Sequence, residues 1–324
     1  MKDEFDWIKS ITPSKHFQSS LIEGIGDDAA LVRTEAGMDD ILCVDTMVES
    51  VHFSRQTMTP YHIGYKALAV NISDVAAMGG APKFYLVSIG IPDKWSESEL
   101  QQIYQGMAAI AETYEVDLIG GDTVSTKGPL VISVTIVGRV QEDRKLLRKN
   151  ARPGDIVFLT GPVGVSAAGL ECLLNDEQPS RINKKLIRAH QMPMPQVEAG
   201  LLLSESGYRI ALNDISDGLA SEAHEIAEAS QVGIKIDAER LPTIQEFRSF
   251  SKAQVLDWML YGGEDFQLVG TVSSKDWQSL KKLFDENDQS IYRIGEVIEG
   301  PSMVKLIRGK EVYEIEKKGF NHFK

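Results

Sequence analysis

Cysteine is scarce in this chain: Cys43 and Cys172 are the two thiols in 324 residues. Both sit in apolar context and make no disulfide framework. That excludes the small stapled scaffolds of secreted proteins and fits a reducing cytoplasm. Long apolar runs are missing too. No stretch reaches about 18 residues without a polar interruption, so no membrane span is expected. The opening MKDEFDWIKS is acidic and has no apolar h-region, so no signal peptide is expected. Positive charge is in deficit: 34 Lys and Arg face 47 Asp and Glu, a net charge of −13. Such a field repels nucleic acid and anionic membranes. It still admits an anionic substrate if metal ions neutralise the site. Three catalytic signatures are absent as well. Without a G-x-x-x-x-G-K-[ST] string there is no P-loop. Without G-x-S-x-G, or a Cys or Ser beside a His base, covalent catalysis has no support. Residues 24–29, GIGDDA, do match G-x-G-x-x-A. No apolar strand precedes them, and two carboxylates would face the pyrophosphate, so a dinucleotide site is rejected.

What is present is an ordinary soluble composition, 43% hydrophobic and 25% charged. The length predicts about two domains. Residues 67–82, ALAVNISDVAAMGGAP, organise the first. They predict a buried helix over 60–78, apolar on nearly every side and stopped by Gly79, Gly80 and Pro82. Short strands are expected at 41–45, 84–91, 117–122 and 130–140, with a loop over 46–59. Ser96 and Glu99 have the form of a capping box for the next helix. A basic stretch with Arg144, Lys145, Arg148, Lys149 and Arg152 then leads to the turn Pro153–Gly154–Asp155. It separates a domain over 1–140 from a second over 153–324, with a linker over 141–152. Strands and helices mingle in both without a strict βαβ rhythm, which favours α+β. The words ISD at 72–74 and 215–217, and GGD at 120–122 against GGED at 262–265, echo each other at equal spacing. They mark two similar halves or a coincidence of short words.

The acids carry the chemistry. Asp27 and Asp28 lie in a glycine-rich turn, Asp45 and Asp122 at strand ends, and Asp74 in the apolar helix. Asp214 and Asp217 bracket a strand-to-helix junction. Singly, each is a cap or turn residue, and Asp74 pairs with backbone or an arginine. Together, without basic partners at ion-pair spacing, they suit carboxylates gathered on cations. Carboxylates without a His or Cys cluster favour Mg²⁺ over Zn²⁺, and such ions are usually shared with phosphates. Gly120–Gly121, residues 161–164 (GPVG) and the helix start at 216–218 would let backbone amides approach an anion. His52 is a substrate contact or a surface histidine. Arg148 clamps a phosphate or is solvated. Glu264 caps a helix or touches a ligand, and Phe320 packs or recognises.

The ordered words GIGDDAALV, VDTMVESVHF, YKALAVNISDVAAMG, LIGGDT, ARPGD, TGPVG, DISDGL, YGGEDF and KGFNHF resemble the thiamine-monophosphate kinase family from Gly24 to Phe323. That family lies in the superfamily of phosphoribosyl-aminoimidazole synthetase and selenophosphate synthetase. The resemblance implies two α+β domains, with a homodimer formed through the N-terminal β-sheets. It implies ATP-dependent phosphorylation of thiamine phosphate to thiamine diphosphate, with Mg²⁺. It implies Asp28, Asp45, Asp74, Asp122, Asp214 and Asp217 as metal ligands. Tyr104, Gly121, Asp122, Arg148 and Ser216 would touch ATP, and His52, Glu264 and Phe320 thiamine phosphate. Cys43 and Val44 stand where many relatives carry hydroxyl residues, and a soft thiol there is a poor Mg²⁺ ligand. The alternatives are another ATP-using member of the superfamily, aminoimidazole ribonucleotide synthetase-like, or a non-catalytic nucleotide or metal sensor. The absence of cysteine in residues 1–30 argues against a selenophosphate synthetase.

Overall fold

A computed structural model describes residues 11–23, 31–175 and 181–319, with the backbone alone at 22–23, 31 and 181–183. Asp27, Asp28 and Phe320 lie outside the described residues. The chain divides into two units. One is Met1–Val75 with Ala81–Glu142, the other Ala76–Gly80 with Asp143–Lys324.

Among the described residues the first unit has a four-stranded sheet and two long helices. Strand β3 (Met38–Val48) pairs antiparallel with β6 (Val131–Gln141), which pairs antiparallel with β4 (Ala81–Pro92). Parallel strand β5 (Asp117–Thr126) closes the order β3-β6-β4-β5. A short antiparallel pair, β1 (Leu21–Glu23) and β2 (Leu31–Val32), stands apart from it. The expected helix forms as α1, Pro60–Ala77. Leu68, Ala69, Ile72, Val75 and Ala76 are fully buried, and Gly79 follows at φ 73°, the left-handed stop that glycine adopts without strain. Helix α2 (Glu97–Tyr114) carries the Ser96/Glu99 capping box and supplies the crossover between parallel β4 and β5. The two helices meet backbone to backbone. A Cβ on Gly64 would lie 1.8 Å from the Ile103 carbonyl oxygen, and one on Gly106 would lie 2.0 Å from that of Tyr61. Helix α1 covers one sheet face, where a Cβ on Gly138 would strike Val75. On the other face Leu42, Val44 and Val124 are exposed.

Three local expectations change. Strand β5 runs on through Thr126, so Asp122 lies inside the strand and not at its end. Strand β3 runs on through Val48, where a loop was expected from Thr46, because β6 offers it an unbroken ladder from Met38↔Gln141 to Val48↔Val131. Asp74 is partly exposed, not buried. It shares an open stripe with Val70 and Met78, each four residues apart on the helix.

The second unit is a seven-stranded sheet in the order β13-β12-β9-β11-β7-β10-β8. Its strands are β7 (Asp155–Leu159), β8 (Ile210–Asp214), β9 (Gly233–Asp237), β10 (Leu268–Ser273), β11 (Tyr292–Ile298), β12 (Val304–Arg308) and β13 (Glu311–Ile315). Alternation divides each central strand between two cores. Val157 and Leu159 join a cluster with Leu219, Ala223 and Met259, whereas Ile156 and Phe158 join one with Leu203, Leu280 and Phe284. Helices α3 (Val165–Leu174), α4 (Arg181–Gln191), α6 (Leu219–Ser230) and α7 (Lys252–Tyr261) lie on the first side. Helices α5 (Val197–Glu205) and α8 (Trp277–Glu286) lie on the second. Burying a side chain such as Phe158 contributes about 1.5–3 kcal/mol.

The echoed words do not mark equivalent places. Ile72–Ser73–Asp74 is mid-helix, whereas Ile215–Ser216–Asp217 is the turn before α6. Asp122 is on a strand, and Asp265 precedes one.

Candidate active site

In the first unit one buried amide fixes the backbone at Asp45. Asn71 on α1 is inaccessible to water. Its Nδ2 donates to the Ala67 carbonyl at 3.0 Å, and its Oδ1 accepts the Asp45 N–H at 3.2 Å. That bond ties Asp45 of β3 to α1, one turn before Asp74. The Cys43 thiol donates to the Asn71 carbonyl at 3.7 Å, so the sulfur serves as a protonated donor there. Pairing register puts Asp45 in one row with Val134, Val87 and Gly121. Asp122 is one residue on, opposite Ser88, and exposed. It shares a polar row with Thr46, Ser133 and Ser88. Gly121 is a position of close approach: a Cβ would lie 2.0 Å from the Val87 carbonyl oxygen. Glycine is the residue that fits.

His52 sits in the turn after β3. Its Nδ1 accepts the Val48 N–H at 3.0 Å, so the neutral ring carries its proton on Nε2. Tyr104 on α2 is 9% exposed, and burial raises its pKa above the usual tyrosine range.

In the second unit β8 ends on Asn213 and Asp214, both buried. Glu222, on the first turn of α6, is buried beneath them. It accepts Asn213 Nδ2 at 2.5 Å, the Asp217 N–H at 3.2 Å and the Ser216 hydroxyl at 3.4 Å. Burial, with the nearby charges of Asp214 and Glu225, pushes the Glu222 carboxyl up to about 8. Arg148 donates from Nε to Asn213 Oδ1 at 2.9 Å and pairs with Glu225 at 2.6 Å, while half its side chain stays exposed. The basic stretch thus delivers one guanidinium to the acidic junction.

Two expected anion sites are filled by the protein itself. At the start of α3, Asp265 accepts the Gly164 N–H at 2.5 Å and the Ser166 N–H at 2.9 Å. Burial raises its pKa to about 7 against those N–H bonds, which pull it down. At 216–218 the Asp217 N–H is taken by Glu222. Neither helix start offers these amides to a phosphate. Glu264 follows two glycines at φ 66°, and its N–H bonds the Ser216 carbonyl at 2.6 Å.

Asn213, Glu222, His190 and Asp265 were not predicted as site residues. Glu222 had a signal, a carboxylate set among Leu219, Ala220 and Ala223 on an apolar helix face. Among the described residues no three His, Cys, Asp or Glu side chains group closely enough to hold a metal by themselves. The donors are hard oxygens, and Asp214 and Asp217 bracket the same turn. That chemistry fits Mg²⁺, which takes one or two carboxylates and completes its shell with water and substrate phosphates.

Residues 26–140 match the AIR synthase related protein N-terminal domain, and residues 152–306 match the corresponding C-terminal domain. Over 99% of its length the chain is 49% identical to the whole thiamine-monophosphate kinase of Bacillus subtilis (strain 168). The chain belongs to the thiamine-monophosphate kinase family. Among solved members of the thiamine-monophosphate kinase family, that of Stenotrophomonas maltophilia K279a is 32% identical. The match covers 93% of this chain and 94% of that one, at a TM-score of 0.83. AaThiL complexed with AMPPCP and TMP is 34% identical over 92% of each chain, at a TM-score of 0.78. The two-domain α+β fold is therefore that of the family. Among the described residues no helix is long and apolar enough to cross a membrane.

Proposed function

We propose that this chain phosphorylates thiamine phosphate with ATP, yielding thiamine diphosphate and ADP. The observation that carries this is the full-length match, at 49% identity, to a thiamine-monophosphate kinase. Asp28, Asp45, Asp74, Asp122, Asp214 and Asp217 hold Mg²⁺ ions. Tyr104, Gly121, Asp122, Arg148 and Ser216 bind ATP, and His52, Glu264 and Phe320 bind thiamine phosphate. When bound, Mg²⁺ offsets the repulsion between two phosphorylated reactants. The guanidinium of Arg148, fixed by Asn213 and Glu225, adds a second positive group. His52 presents its Nε2 proton because Nδ1 is occupied. The acceptor is a phosphate-monoester oxygen, largely ionised at neutral pH because its second pKa is about 6. No side chain has to remove a proton, and transfer is direct and in line.

The exposed Leu42, Val44 and Val124 on the open sheet face support a homodimer through that face. Two free cysteines suit the cytoplasm.

Asp74→Asn and Asp122→Asn test the reading. Each abolishes thiamine diphosphate formation while the far-ultraviolet circular dichroism stays that of the parent. Near-parental turnover in either variant contradicts the metal assignment. A trapped phosphohistidine or phosphoaspartate contradicts direct transfer.

A further inference from the structure

The loop that carries Glu264 is held far more tightly than a surface contact requires. Glu264 and Phe266 both take left-handed backbone, φ 66° and 50°, which is strained for non-glycine residues. Two backbone bonds fasten them to the turn before α6: Glu264 N–H to Ser216 O at 2.6 Å and Phe266 N–H to Ile215 O at 2.9 Å. Asp265, between them, is pinned to the start of α3.

A side chain from α4 reaches the Glu264 carboxylate. His190, near the end of α4, is 3% exposed. Its Nδ1 lies 3.5 Å from Glu264 Oε2 and 3.1 Å from the Ser166 hydroxyl, which is 1% exposed. An ionised carboxylate only accepts, so Nδ1 serves Glu264 only when it carries the proton, and the Ser166 hydroxyl then accepts from that same N–H. A histidine needed only for packing would be satisfied by Ser166 alone. This one also meets a carboxylate whose side chain is a third exposed.

We infer that His190 is a positioning residue: its Nδ1–H, shared with the Ser166 hydroxyl, fixes the Glu264 carboxylate in the orientation that receives thiamine phosphate. The inference rests on Glu264 being a thiamine phosphate contact, as proposed above. A free glutamate gives up rotamer entropy on binding, and a preset one does not. A lost hydrogen bond to a charged group is large enough for about a tenfold effect.

The test measures KM for thiamine phosphate and for ATP separately in His190→Leu, which removes the donor, and His190→Asn, whose Nδ2 keeps one near the Nδ1 position. The expected result is a rise of about tenfold in the thiamine phosphate KM for His190→Leu. The ATP KM stays near parental, and His190→Asn recovers most of the loss. An unchanged thiamine phosphate KM, a parallel rise in both constants, or an asparagine no better than leucine overturns it. If His190→Leu does not fold, a double-mutant cycle of His190→Asn with Glu264→Gln decides: coupled effects on the thiamine phosphate KM support the inference, and additive effects overturn it. Glu264→Gln alone separates the two levels. If it leaves that KM unchanged, the Glu264 assignment itself has failed. If it raises the KM while His190→Leu does not, only the positioning role has.

Discussion

Asp265→Ala removes the carboxylate that holds the start of α3. Its two oxygens accept the Gly164 and Ser166 N–H groups, and the Val165 N–H faces it as well. The residue is 8% exposed, so water does not simply replace it. A buried donor left unsatisfied costs about 1–3 kcal/mol, and loss of a helix cap up to about 2 kcal/mol. Two stranded donors at the low-to-middle range give about 3 kcal/mol. For a unit of this size that lowers Tm by about 6–12 °C. The measurement is thermal unfolding followed by circular dichroism at about pH 8, above the Asp265 pKa of about 7. A pH series supplies the second arm. The Asp265 pKa is raised from 3.8 on folding, so the folded protein binds the proton more tightly. Its contribution to stability is fully present below 3.8 and is lost as pH rises through about 7. Asp265→Asn cannot titrate, so it removes that slope. A loss below about 0.5 kcal/mol in Asp265→Ala would refute the reasoning, because it would mean that the amides of 164–166 find other acceptors.

Gly64→Ala drives a Cβ into the Ile103 carbonyl, where both partners are backbone. It should cost at least the usual 1–3 kcal/mol of overpacking, read as a lower urea midpoint. Glu49 is buried, which alone would raise its pKa, but Lys94 at 2.8 Å, the Leu130 N–H and the Trp95 indole hold it below 4.5. Its contribution is present above 4.5 and lost as pH falls through the lower folded value. Urea midpoints of Glu49→Gln should therefore lose part of the acid-side fall that the parent shows. Leu42→Glu with Val44→Glu puts like charges on the open sheet face and should convert the proposed homodimer to monomer in sedimentation, without loss of secondary structure.

The elements that were legible in the sequence are those whose signals are local. An apolar run ending in Gly79 and Pro82 can only be a buried helix with a sharp stop. Ser96 and Glu99 close their capping box within one turn. The strands expected at 84–91 and 130–140 form as Ala81–Pro92 and Val131–Gln141. Strand β3 was cut short because its last residues, Thr46–Val48, are held by a partner strand distant in sequence. The fate of the glycine-rich anion sites was hidden for the same reason. The carboxylate that fills the start of α3 comes from a residue about a hundred positions away, and no spacing rule announces it. The link from His190 to Glu264 also depends on tertiary packing. What sequence could supply was the set of acids and their neighbours. Which of those carboxylates the protein uses for its own amides is decided by the fold.

ADP release and thiamine diphosphate formation, followed together with ATP and Mg²⁺ and one candidate acceptor at a time, test the central claim most directly. The acceptors are thiamine, thiamine phosphate and the phosphorylated amidine precursor of aminoimidazole. The account predicts that ADP and thiamine diphosphate appear in equal amounts with thiamine phosphate alone. ADP release that ignores thiamine phosphate, or that answers to the amidine instead, would contradict it.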